Sequence, residues 1–185
     1  MEKNQITISI EAEFHMLRHF EQCSAQSLDR ILVQYTQAQI DTEMAQVGSR
    51  FYHSFATDIP SILDHVFANE FHQKTGNNGN VILSLQTDTQ VGEHGVAEMD
   101  TLTQEQKDKI SLQNNRGLDL MHLKVDQLPS TNAYVLILKP IENRYNFITA
   151  FPGDEGMPLP YETLPEGFRK ECKAYWDRHV FLDKK

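Results

Sequence analysis

The sequence is short of cysteine, of positive charge, of glycine-rich phosphate loops and of unbroken apolar runs. Its two cysteines, Cys23 and Cys172, lie far apart and match no Cys-x-x-Cys metal or redox spacing. Two free, partly buried thiols are expected. No stretch reaches the roughly 18 apolar residues that a membrane-spanning helix needs, so no membrane partner is expected. Met1 to Ile10 mixes Glu2, Lys3, Asn4 and Gln5 with isolated apolar residues. That lacks the apolar core of about 7–15 residues of a secretory signal, so cytoplasmic residence is expected, with signal-free secretion left open. Gly76 and Gly79 stand in a polar loop with no Gly-Lys-Ser/Thr after them, which excludes a P-loop. Neither Gly-x-Ser-x-Gly nor His-Glu-x-x-His occurs. There is no internal repeat and no low-complexity tract.

With 17 Lys and Arg against 26 Asp and Glu, the formal net charge is -9. That opposes a basic nucleic-acid coat and a polybasic membrane binder, while leaving room for a local basic cleft. A chain of 185 residues, 39% hydrophobic and 23% charged, has the length and composition of one soluble globular domain with a real core. The expectation is a single domain over 1–185, helical over 1–75, with a sheet and a C-terminal helix over 76–185.

The periodicity supports that division. Ile10, Phe14, Leu17 and Phe20 recur at helical spacing. Ser27 is placed to cap a longer helix from Leu28 through Ile40. Asp58-Ile59-Pro60 is N-cap chemistry with proline in the first turn, and an amphipathic helix to about His72 follows. Thr75 to Asn80 reads as a loop, and Val81–Gln86 as a strand. Gly92–Met99 reads as a second strand. Thr103 and Gln106 form a capping-box pattern that starts a polar helix to about Gln113. Asn115-Arg116-Gly117 reads as a turn into a strand over Leu118–Val125. Ala133–Lys139 is apolar on both faces, and Glu142-Asn143-Arg144 connects it to Tyr145–Phe151 as a hairpin. Leu164, Phe168, Cys172, Tyr175, Trp176 and Val180 predict a C-terminal amphipathic helix. Helices, then a mainly antiparallel sheet of about four strands, then a packing helix make an α+β fold. Missing βαβ units argue against Rossmann and TIM architectures.

Candidate chemistry is sparse. His15 and His19 share a helix face, as two helix histidines or as a metal-binding pair; no metal and no cofactor is expected. His94 sits in a Gly92-x-x-Gly95 setting, where glycines allow close approach to a ligand and histidine can act as a general base. His122 and Lys124 lie two apart in a strand, hence on one face. Period two also puts Tyr145, Phe147 and Thr149 on one face of the hairpin. Each of these has an ordinary structural role as its other reading.

The run Tyr145-Asn146-Phe147-Ile148-Thr149-Ala150-Phe151-Pro152-Gly153 resembles the last-strand motif of bacterial RNase toxins of the barnase, EndoU, colicin E5/D and RelE fold group. The resemblance covers these nine residues and the order of the elements. It implies N-terminal helices followed by an antiparallel sheet, with a histidine, a basic residue and a hydroxyl projecting from the sheet. Thr149 matches the hydroxyl, and Arg116, His122 or Lys124 would supply the others. Phe151 stands where the group often has tyrosine, and the group is mostly more basic. Two functions follow as expectations. The first is a non-enzymatic interaction or accessory protein with a protein partner. The alternative is a metal-independent endoribonuclease, with RNA as partner, no DNA, and His122, Lys124, Thr149, Arg116, His94 and Tyr145 as site residues.

Overall fold

A computed structural model describes residues 1–46, 48–76, 78–115 and 117–185. Along the chain, β1 (Ile6–Thr7) precedes α1 (Ile10–Met16), α2 (Ala25–Ile31), α3 (Gln37–Met44), β2 (Arg50–Phe51) and α4 (Ile59–Ala68). Strands β3 (His72–Thr75), β4 (Val81–Gln86), β5 (Gly92–Glu93) and β6 (Val96–Glu98) follow, then the short α5 (Gln104–Lys107). The remainder is β7 (Ser111–Asn115), β8 (Leu118–Val125), β9 (Ser130–Thr131), β10 (Ala133–Ile141), β11 (Arg144–Pro152), α6 (Glu166–Trp176) and β12 (His179–Lys184). The class is α+β. No helix among the described residues is long and apolar enough to cross a membrane.

The chain divides into two compact units, Met1–His94 with Ser130–Glu155, and Gly95–Pro129 with Gly156–Lys185. The helical part up to residue 75 and part of the sheet segment belong to the same unit, where β1 pairs with β11 and β3 with β4. Among the described residues the strands make three sheets rather than one. The first unit holds a five-stranded sheet in the order β1-β11-β10-β4-β3 and a small one, β2-β5-β9. The second holds β6-β12-β8-β7. Most pairs are antiparallel, but β1 with β11 and β12 with β8 run parallel.

In the first unit the expected hairpin is present, turning at Glu142, whose φ is 51°. Register aligns Leu83 with Leu136, Val81 with Leu138 and Leu85 with Tyr134. It also aligns Leu136 with Ala150 and Leu138 with Phe147. These residues make one apolar face, which packs on Ala12 and Met16 of α1 and on Ile59, Ile62, Leu63 and Val66 of α4. Removing such side chains from water is worth about 1.5–3 kcal/mol each. Helix α4 starts as expected: the Asp58 carboxylate accepts the Ser61 amide at 2.9 Å. Its end is earlier than expected, at Ala68, and β3 follows.

Four further expectations need correction. The helix expected from Leu28 to Ile40 is two helices, because Ser24 caps α2 and Thr36 and Gln39 form a capping box that restarts the chain as α3. The polar helix after Thr103 lasts four residues, since Ser111–Asn115 is drawn into a ladder with β8. The C-terminal helix stops at Trp176, and its last periodic residue, Val180, belongs to β12. The Gly92–Met99 segment also splits, its halves pairing in different sheets. In the second unit Leu123, Leu128, Val180 and Leu182 form a small core.

Candidate functional site

The site is built on two parallel neighbours, β8 and β12, in the second unit. Register sets His122 beside Phe181 and Lys124 beside Asp183. Alternation turns Leu123 and Leu182 into the core, so His122, Lys124, Phe181 and Asp183 share the other face. Asp183 is 2% exposed. Its Oδ2 accepts from His122 Nδ1 at 2.9 Å and from Gln113 Nε2 at 3.4 Å, with Lys124 Nζ 4.0 Å away. The His122 ring stacks on Phe181 at 5.2 Å, and Phe181 stacks on Trp176 at 4.5 Å. The Trp176 indole N–H donates to the carbonyls of Met157 and Pro158, both at 3.0 Å. The His122 side chain is 14% exposed, so the ring is gripped but not sealed, while Lys124 at 60% reaches solvent.

His122 and Lys124 therefore come together, as their spacing requires, and a buried acid joins them. The chain matches no protein-family model, no curated protein and no solved structure significantly. What the site does has to be read from its own chemistry.

The other expected site residues lie elsewhere. Thr149 and Tyr145 belong to β11 in the first unit. Tyr145, Phe147 and Thr149 do not keep one alternation. Ile137 pairs with Thr149 and Leu138 with Phe147, which leaves Ile148 as a bulge. Beyond it Ala150, not Thr149, joins Phe147 on the core face. The Thr149 hydroxyl is directed at Met16 Sδ, 3.7 Å away, and Tyr145 packs half-buried against the core. Arg116 lies outside the described residues.

His94 lies directly on Gly153: a Cβ there would come within 2.3 Å of the ring, and φ is +111°. Gly92 does admit a close approach, but by protein, with Arg50 O 2.3 Å from where its Cβ would stand.

His15 and His19 do share a face, their rings 5.5 Å apart. Burial pushes His19 down to about 3, although Nδ1 lies 3.0 Å from the Ser49 carbonyl. Burial, with Arg18 nearby, pushes His15 down to about 4. Both are neutral packing groups near neutral pH. Among the described residues no group of three or more His, Cys, Asp or Glu has metal-holding geometry. Both cysteines are free and buried, and burial pushes the Cys23 thiol up to about 11.

Sequence reasoning missed Asp183, Gln113, Phe181 and Trp176. The one available signal is the alternation in Val180-Phe181-Leu182-Asp183, which the preceding helical period absorbs.

Proposed function

We propose that the second unit carries a metal-independent, His122-centred site that cleaves RNA. The observation behind this reading is the 2.9 Å bond from His122 to a buried carboxylate, with Lys124 on the same face. A neutral imidazole with Nδ1 held by Asp183 offers Nε2 as a base. It takes the proton of a ribose 2′-hydroxyl. The 2′ oxygen then bonds to phosphorus as the bond from phosphorus to the 5′ oxygen breaks. The leaving oxygen takes a proton from the imidazolium, which leaves a 2′,3′-cyclic phosphate and a 5′-hydroxyl. Lys124 offsets the charge gathered on the phosphoryl oxygens.

Overall charge opposes phosphate binding, but it is unevenly held. The second unit has 10 basic and 11 acidic residues, close to balance. Thr149 has no part in this version, because its hydroxyl is directed at Met16.

The test is RNA cleavage by purified protein in excess chelator. Wild type and Thr149→Ala should cleave, and His122→Ala should lose at least about 100-fold, the lower range for a general base. An inactive wild type at high enzyme concentration, or an active His122→Ala, ends the reading.

One observation favours a second reading, a non-enzymatic accessory protein with a basic protein partner. The first unit has 7 basic against 15 acidic residues, a net of -8. Cross-links to such a partner should map to the first unit and vanish at about 1 M salt, where screening acts beyond about 3 Å. Cross-links that survive that salt would exclude a charge-driven contact.

A further inference from the structure

We infer that Asp183 is a positioning residue that fixes the tautomer of His122; the inference deepens the RNA-cleaving reading and rests on it for its catalytic consequence. Asp183 is a buried carboxylate. It accepts hydrogen bonds and has none to give while ionised, so the ring nitrogen facing it must carry a proton. Asp183 Oδ2 faces His122 Nδ1 at 2.9 Å. The proton therefore resides on Nδ1, and in the neutral ring the lone pair resides on Nε2.

The surroundings keep this arrangement. Gln113 spans from β7 to donate to the same oxygen at 3.4 Å, which adds a neutral donor without supplying a competing charge. Lys124 Nζ, 4.0 Å from the same oxygen, places a cation within reach of the buried carboxylate. The plane of the ring is set separately, by the stack on Phe181 at an interplanar angle of 25°. Tautomer and ring plane thus have different holders, and a substitution at Asp183 changes the first while leaving the second. The strand pairing makes the geometry local: Phe181 lies beside His122 and Asp183 two residues further along the same face of β12. Among the described residues the hydrogen bond of the His122 ring is made through Nδ1, so Nε2 faces away from the carboxylate that holds it.

Asparagine tests this directly. Asp183→Asn keeps the size but presents either a carbonyl or an amide group. When the amide donates to Nδ1, the proton moves to Nε2 and the base is lost. Asp183→Glu restores a carboxylate one methylene longer. Nitrogen-resolved NMR of imidazole-labelled protein, followed to the alkaline limit of its titration, reads the tautomer without any substrate. Wild type should show a single Nδ1–H form, Asp183→Asn a shift towards Nε2–H, and Asp183→Glu a return towards wild type. RNA cleavage measured beside it should fall at least about 100-fold in Asp183→Asn and recover in part in Asp183→Glu.

A wild-type His122 that shows the Nε2–H form, or a mixture of both forms, overturns the inference whatever the RNA assay gives. This wild-type measurement also decides the matter if the asparagine variant fails to fold. A fixed Nδ1–H form that asparagine releases, in a protein that cuts no RNA, sustains the positioning role and removes the RNA reading. An Asp183→Asn variant that releases the tautomer yet cleaves at the wild-type rate overturns the catalytic consequence.

Discussion

Both units bury carboxylates, but they pair them differently. In the first unit Glu13 is held by Arg30 and Glu43 by Arg18, each acid less than a tenth exposed. Arg30 also donates to the buried Ser27 hydroxyl at 3.1 Å. These pairs join α1 to α2 and the turn after α1 to α3. A guanidinium is always protonated, so such a pair has one state and serves as a strut. In the second unit the buried acid has histidine as its nearest partner. Imidazole, unlike a guanidinium, has a neutral form with one bare ring nitrogen, so this pair is not confined to a single charge state. All three acids are buried to a similar degree; the partner decides whether the result is a fixed brace or a group that can do work.

The contrast is sharpened first at the strut. Arg30→Ala strips Glu13 of its partner and leaves a buried, uncompensated charge. Because Arg30 is itself 40% exposed, the loss should fall below the full range for a buried pair, at about 2–3 kcal/mol. Denaturant unfolding measures it, and a change under about 0.5 kcal/mol would mean that Glu13 is solvated after the arginine is gone.

Acid separates the units next. His15 and His19 have folded values of about 4 and about 3, below the 6.5 of an unfolded histidine. Between these values the unfolded chain binds more protons, so stability is present above about pH 6.5 and drains away as pH falls towards 4 and then 3. The loss by about pH 5 should be roughly 2 kcal/mol per histidine, about 4 kcal/mol for the two, and about half of that in His15→Gln. A flat stability profile over that range would show that both rings stay hydrated.

The smallest effect is expected at Leu112, which is 69% exposed on β7. Leu112→Ser should change stability by no more than about 0.5 kcal/mol. A larger loss would show that this side chain has an apolar partner in solution.

What could be read in advance follows the range of each interaction. The Asp58 cap of α4 and the β10–β11 hairpin depend on residues close in sequence, and both are present. The helical period through Val180 hid β12, because a strand that pairs in parallel with residues about sixty positions earlier leaves only a short alternation of its own. Asp183 was invisible for the same reason: its partner is on another strand and its neighbours, Lys184 and Lys185, look like a solvated tail. His122 and Lys124 were legible because period two operates within one strand. Thr149 was misplaced by the bulge at Ile148, where one unpaired residue reverses the parity of everything after it.

The sulfur of Met16 also closes a line along which chains join. Among the described residues strand β1 covers β11 only at Tyr145 and Asn146, and no other strand pairs along the rest of that border. The Ala150 amide, which a stranger's carbonyl would otherwise claim, donates to Met16 Sδ at 3.3 Å. A thioether is a weak acceptor, but it has no backbone to extend the ladder. The border thus ends in a soft stop, and a protein that lost it would be open to end-on association and to swapping of strands between copies.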